Sequence, residues 1–306
     1  MEKIVFTLIH LGLPFLILTD FISRKPKSNI GLLAKSILYS AILFFLYLWG
    51  QWPLVGSYYL RYIILLLIIY IVSATILRLR SGNLGKPNRL FSKISIGVTT
   101  LLALMVLMMV FNAIRGRYYV DRGIELSFPL RGGTYYVSSG GSNKMINNHI
   151  RDFPTAQQYA MDINQIDSFG SASKKMMSNK NEEHYIFSDT VYCPCDGIIL
   201  DTKTAVKDNE GVNMNVSSED GTGNYIELKC DGAHIFIPHF KQHSIFVSKD
   251  SYVKEGTPLG LVGISGFSQE PHLHFQAAVY NKDSVLVGIP IRFKGKTLSR
   301  NDLYKN

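Results

Sequence analysis

Gly263-Ile-Ser-Gly-Phe-Ser-Gln-Glu-Pro-His-Leu-His-Phe275 turns on two glycines and Pro271 before entering a short strand, His272-Leu-His274. Residues i and i+2 of a strand point to the same face. Both imidazoles therefore look into one groove, and Leu273 and Phe275 turn toward the core. An H-x-H alone is commonplace on strands; the glycine approach and the proline set this one apart. Outward from it the texture repeats. Short apolar runs at 191–192, 197–200, 224–228, 234–237, 259–264 and 273–280 are separated by Gly, Asn, Ser and Asp clusters. Regular short strands with turn signals predict an all-β antiparallel sandwich. Residues 168–183 are polar and read as an exposed loop. Seven of the eight histidines, at 149, 184, 234, 239, 243, 272 and 274, lie in this half of the chain.

Residues 1–114 read differently. A helix needs about 20 apolar residues to cross the hydrocarbon core of a bilayer, and four stretches qualify: 4–22, 36–55, 58–77 and 94–114. They predict an all-α transmembrane bundle of four helices over 1–114, followed by a separate β domain over 115–306. Trp49 and Trp52 fall where an aromatic belt would sit. Arg61 lies close enough to a span end to snorkel. Asp20 reads as interfacial, and His10 lies deeper with no partner visible. The first segment reads as a span rather than a cleaved signal, because no small-residue cleavage site follows it. Residues 1–114 carry 11 Lys and Arg against 2 Asp and Glu, whereas 115–306 carry 21 of each. The net charge of +9 thus belongs to loops beside a membrane, and nucleic-acid binding is excluded as its cause. Arg24, Lys25, Lys27 and Lys35 mark the first loop; Arg78, Arg80, Lys86, Arg89 and Lys93 mark the third; the second has Arg61 alone. The positive-inside rule places the first and third loops in the cytoplasm, with both termini and the β domain extracytoplasmic. Arg115, Arg117 and Arg122 oppose this, but long domains translocate largely regardless of charge.

The motif G-x-S-G-x-S-x-E-P-H-L-H-F resembles the C-terminal signature of the lysostaphin/LytM-type zinc endopeptidases, which cut peptide cross-links of bacterial cell wall. Gly223-Asn-Tyr-Ile-Glu-Leu228 is similar to that family's G-N-Y-V-x-I strand, and Pro238-His239-Phe240 stands where it has A-H-L. Ser244-Ile-Phe-Val247 followed by Val253-Lys-Glu-Gly256 resembles its S-I-x-V and V-x-x-G run. Gln158-Tyr-Ala-Met-Asp162 and Asn181-Glu-Glu-His-Tyr-Ile-Phe187 resemble elements of one branch. The likeness covers about residues 130–293. It implies a LytM-like sandwich with a duplicated hybrid motif, a Zn2+ cofactor, and peptidoglycan peptides as substrate. The lipid bilayer is the other expected partner; protein partners are not indicated.

The resemblance also implies roles. Asp162 and His274 correspond to metal ligands, and His272 and His239 to the catalytic histidines that flank a metal-activated water. A catalytic zinc has three protein ligands and an open position. Most of the family takes the third from H-x-G-x-D, where this chain has Gln158 and Ala160. Four residues of regular strand span about 13 Å, and alanine bends less readily than glycine, so Gln158 is not expected to ligate. The branch carries an upstream N-x-H element, matched by Asn147-Asn148-His149, which makes His149 the expected third ligand. The competing reading is a site without metal, His149 being a surface residue and the domain a catalytically inactive module that binds cell wall or regulates another hydrolase. His184 reads as packing or surface, and His234 and His243 match no required position. Cys193 and Cys195 stand where the family's A-P-A-D-G turn has alanines, which favours small buried side chains. A Cys195–Cys230 bridge stays open, and an odd count of three leaves at least one thiol without an intramolecular partner.

Overall fold

A computed structural model describes residues 2–82, 89–120, 123–151, 155–211 and 216–306; Lys86 and Arg122, counted above among the loop charges, lie outside them. The chain divides into two compact units, Met1–Ile114 and Arg115–Asn306.

The first unit is helical: α1 (Glu2–Thr7), a π-helical turn (Leu8–Gly12), α2 (Leu13–Ser23), α3 (Asn29–Trp49), α4 (Leu60–Ser81) and α5 (Arg89–Arg115). Four helical stretches, Val5–Ser23, Asn29–Trp49, Leu60–Ser81 and Lys93–Arg115, are long and apolar enough to cross a membrane. The π turn precedes Pro14, which has no N–H to return to the His10 carbonyl; the wider turn absorbs that loss, with the Leu13 N–H reaching back to the Leu8 carbonyl. His10 is fully buried. Its Nδ1–H donates to the Phe6 carbonyl at 2.8 Å, and its Nε2 accepts from the Gln51 N–H at 3.2 Å.

Two expectations need correction here. The second span runs from Asn29 to Trp49 rather than from 36 to 55. The Ser28 hydroxyl caps it by accepting from the Gly31 N–H, and Lys35 is tolerated inside it because it pairs with Asp20. A capped start outweighs one charge in the first turns. Arg61 does not snorkel. It is 5% exposed, donates to the Tyr58 hydroxyl at 2.8 Å and lies 4.1 Å from the Tyr47 ring centroid, so aromatic faces replace water around the guanidinium. Asp20 is held by Arg24 at 2.7 Å, by Lys35 and by the Tyr39 hydroxyl.

In the second unit the described strands are β1 (Ile124–Glu125), β2 (Thr134–Ser139), β3 (Met161–Ile166), β4 (Thr190–Tyr192), β5 (Gly197–Lys203), β6 (Asn224–Cys230), β7 (Ala233–Phe240), β8 (Tyr252–Val253), β9 (Pro258–Leu261), β10 (Leu273–Tyr280), β11 (Leu286–Ile289), β12 (Ile291–Phe293), β13 (Lys296–Thr297) and β14 (Leu303–Lys305). The main sheet has the order β14-β2-β3-β10-β7-β6-β5-β8, with β11 also paired to β10; β1-β12-β13 and β4-β9 form two small sheets. Among the described strands only β1 with β12 runs parallel. The core is continuous and apolar. Ile163, Ile199, Ile226, Leu228, Ile235, Ile237 and Phe275 are fully buried in it, and Leu273 is 2% exposed. Each such side chain stabilises the fold by about 1.5–3 kcal/mol. Alternation along β10 sends Leu273 and Phe275 into this core and leaves His272, His274 and Gln276 on the other face.

Cys195 and Cys230 form a disulfide that closes a 35-residue separation from the start of β5 to the end of β6, and Cys193 is a buried free thiol. Small-residue packing therefore describes Cys193 but not Cys195. Spacing alone could not distinguish the two, because the bridge depends on β5 and β6 being sheet neighbours.

Candidate metal centre

The site is assembled where β10 is flanked by β3 and β7. Antiparallel pairing sets Asp162 of β3 directly opposite His274 of β10, and the His274 Nδ1 lies 3.0 Å from Asp162 Oδ1. His149 arrives from the segment between β2 and β3 and puts Nε2 2.9 Å from Asp162 Oδ2. Donor atoms of His149, Asp162 and His274 all lie within 4.8 Å of one another, and the same holds for His239, His272 and His274. His274 belongs to both groups. The site is one convergence of four imidazoles and a carboxylate.

The segment that carries His149 is held from several sides. The Asn147 side-chain amide donates to the carbonyls of Gly141, Gln158 and Ala160, and its Oδ1 accepts from the His149 N–H at 3.0 Å. The nearly fully buried Arg300 donates from Nε to the Ile146 carbonyl and from Nη2 to Asn148 Oδ1, both at 2.9 Å. Gln158 enters through its backbone carbonyl, as one of the acceptors of Asn147.

His239 is the next-to-last residue of β7 and has φ of 67°, a left-handed conformation rare for residues other than glycine. Its Nδ1 lies 2.7 Å from the Ser265 carbonyl. The His272 Nδ1 lies 2.8 Å from the Glu270 carbonyl. A carbonyl can only accept, so both Nδ1 atoms carry the proton, and in the neutral rings Nε2 is the basic nitrogen. The His272 Nε2 faces Asp162 Oδ1 at 3.5 Å, and the His239 and His272 ring centroids are 5.3 Å apart. Two glycines permit this approach. A Cβ on Gly223 (φ 66°) would stand 2.3 Å from the Ser265 carbonyl oxygen, and one on Gly266 (φ 80°) would stand 2.4 Å from the Gly223 nitrogen. Asn224 and Ser265, both fully buried, complete the clamp: the Ser265 hydroxyl and the Asn224 amide both donate to the Phe240 carbonyl.

The electrostatics separate the groups. Burial opposes ionisation of Asp162. The His149 and His272 rings beside it, with the His149 and His274 ring nitrogens 2.9 and 3.0 Å from its oxygens, overcome that and hold its carboxyl well below the usual carboxylate range. Burial, together with His272 and His274, pushes His239 down to about 3. At neutral pH the centre therefore presents an ionised carboxylate and a neutral His239.

The donor set fits a zinc ion. His149, Asp162 and His274 supply two imidazole nitrogens and a carboxylate oxygen, the number and kind a catalytic zinc takes from protein. Gln276, absent from the sequence-based candidates, completes the set. Its Oε1 lies 3.0 Å from the His274 Nε2 and it is nearly buried. An acceptor there puts the proton on Nε2 and leaves Nδ1 for a metal, the usual outer partner of a ligating histidine. The i+2 alternation from His274 was the signal that could have found it. Arg300 had no such signal, being 151 residues from His149 in sequence. The remaining histidines stand apart: His184 contacts the Ser178 carbonyl, His234 pairs with Glu227, and His243 is exposed in a loop.

An antiparallel sheet thus gathers four histidines and an aspartate whose donor atoms could hold a metal ion. The model of Peptidase family M23 matches residues 188–286. That segment contains His239, His272 and His274, and it begins after His149 and Asp162. No curated protein matches the chain. Among solved structures the chain is similar to a zinc-containing peptidase from Vibrio cholerae at 16% identity and a TM-score of 0.32, covering 58% of this chain and 39% of that one. It is also similar to the catalytic domain of a variant of the prophage-encoded M23 protein EnpA from Enterococcus faecalis, at 15% identity and 0.32, covering 52% and 92%. The catalytic domain of lysostaphin from Staphylococcus simulans matches at 22% and 0.23, covering 39% and 86%. The chain thus spans well under half the length of the Vibrio cholerae peptidase.

Proposed function

We propose that this chain is a zinc-dependent endopeptidase, anchored in a membrane by four helices, that hydrolyses peptide bonds of peptidoglycan. The observation that carries the reading is the convergence of His149, Asp162 and His274 donor atoms within 4.8 Å, with His274 shared by a second such group that includes His239 and His272. Bound by those three side chains, zinc would polarise the substrate carbonyl and lower the pKa of water. In hydrolysis a C–O bond forms, the C–N bond breaks, and one proton passes from water to the departing amine. His272 is the group to carry it, with His239 beside it to orient water. Their Nδ1–H atoms are tied to the Ser265 and Glu270 carbonyls, so His272 takes and returns a proton at Nε2, and the neutral His239 accepts a hydrogen bond at Nε2, without either ring rotating. Protonated, His272 steadies the oxyanion. Gln276 and Asp162 keep His274 in the ligating orientation.

The Cys195–Cys230 bridge supports an extracytoplasmic domain, since disulfides persist in oxidising compartments. Gln158, at the position of the usual ligand, motivates the second reading, a module that binds cell wall without cutting it. Purified full-length protein in detergent, incubated with sacculi with and without chelator, tests the two. Peptide fragments released only in the absence of chelator support the peptidase. Wall binding by a protein that takes up no zinc and releases nothing defeats it.

A further inference from the structure

A cavity of about 560 Å³ opens among the helices of the first unit. Its lining comes from the end of α2, the segment after it, the start of α3, the end of α4 and the early part of α5. Those are the matching ends of the four helices that are long and apolar enough to cross a membrane. Five of the lining residues, Arg24, Lys25, Lys27, Lys35 and Arg78, are cationic, and among the described residues none of the lining is acidic.

Asp20 pairs with Arg24 and Lys35 and also accepts from Tyr39, which sets one carboxylate against five cations. Arg78 is oriented by donating to the Phe21 carbonyl at 2.8 Å and lies 4.6 Å from the Phe21 ring centroid. Lys25 and Lys27 are exposed at the mouth. The floor is apolar, made by Phe21 and Leu32, both nearly fully buried, with Ile96 beside them. A basic rim over an apolar floor suits an anion that carries a hydrocarbon tail better than a free anion, which gains nothing from the floor.

We propose that this cavity binds the phosphodiester headgroup of an anionic phospholipid, with the rim cations on the phosphate and Phe21, Leu32 and Ile96 against the start of the acyl chains. The site is independent of the metal centre, and it ties the protein to the lipid composition of its membrane.

Native mass spectrometry of the full chain in mild detergent tests this, with phosphatidylglycerol, phosphatidylcholine and inorganic phosphate as separate probes. The expected result is one retained phosphatidylglycerol, bound at least about tenfold more tightly than phosphatidylcholine. Lys25→Gln with Lys27→Gln should weaken it about 30-fold, near fivefold for each cation at the surface. Lys249→Gln with Lys254→Gln, the same charge change in the second unit, should leave it unaltered. Equal affinity for the two lipids, or no loss in the Lys25/Lys27 variant, overturns the proposal. Equal retention of inorganic phosphate overturns the lipid assignment in favour of a free-anion site. Circular dichroism of each variant shows whether the helices are intact.

Discussion

At the level of single residues the metal centre makes sharp demands. His149 ligates in the proposed site and Gln158 does not, so His149→Ala should lose zinc from the purified protein while Gln158→Ala keeps it. Metal content by plasma emission decides between them, and the opposite pattern would refute the ligand set. Gln276 works at one remove, fixing the His274 tautomer. Losing such a partner costs about 10–100-fold in metal affinity. Gln276→Leu should show that loss in a chelator competition, and Gln276→Glu, which still accepts, should recover most of it. A purely structural role for Gln276 would move the melting temperature of the metal-free protein instead. Asp189 offers a test away from the centre. Its Oδ2 is buried without a hydrogen-bond partner, and burial raises its carboxyl to about 6 despite the Tyr135 hydroxyl. An acid whose folded pKa lies above its unfolded value of 3.8 holds a proton in the native state that the unfolded chain releases. Stability therefore falls as pH rises from about 4 to about 6 and stays reduced above that. Asp189→Asn should gain about 1 kcal/mol at pH 7, after allowance for partial solvent access. That is roughly 2–4 °C in melting temperature, with no gain below pH 4.

For strands and helices, legibility in the sequence followed how local the cause was. The runs at 191–192, 197–200, 224–228, 234–237 and 273–280 fall on β4 to β7 and β10, and 259–264 overlaps β9 over its first half, because a buried strand declares itself through its own apolar residues. The start of α3 was misplaced because it depends on the Ser28 cap and a Lys35–Asp20 pair that links two helices. His272 and His274 were readable as a pair by alternation. Their meeting with Asp162 was reached through a motif resemblance, and its physical cause is the β3–β10 register. The Asn224–Ser265 clamp and the Arg300 support were hidden, since each joins residues far apart in the chain. The disulfide belongs to the same category. It ties β5 to β6 across a 35-residue separation, for which the chain-entropy picture gives about 4 kcal/mol. Cys195→Ser should lower the melting temperature of the second unit substantially, by calorimetry under non-reducing conditions. A dithiothreitol-treated native protein should match the variant, and an unchanged melting temperature in both would show that the bridge adds no constraint.

Over the whole molecule, charge and redox chemistry bear on one question, which side of the membrane carries the metal centre. Four crossings, as proposed, would put the two ends of the chain on one side. Basic residues mark the first loop (Arg24, Lys25 and Lys27), while the second loop, 50–59, carries no charge and Arg61 at the start of α4 is withdrawn among aromatic rings. The bias therefore rests on real solvent-facing charge in the first loop and on almost none in the second, as the positive-inside rule requires for a cytoplasmic first loop. The cysteines make this testable without a cysteine-free background. Cys193 is buried and Cys195 and Cys230 are joined, so the native chain is silent to a thiol reagent. Lys25→Cys reports the first loop, and Asp283→Cys reports the exposed turn between β10 and β11. In intact cells an impermeant maleimide should label Asp283→Cys readily and Lys25→Cys only after permeabilisation. Labelling of Lys25→Cys alone in intact cells would invert the topology and remove the metal centre from the cell wall on which the proposed activity depends.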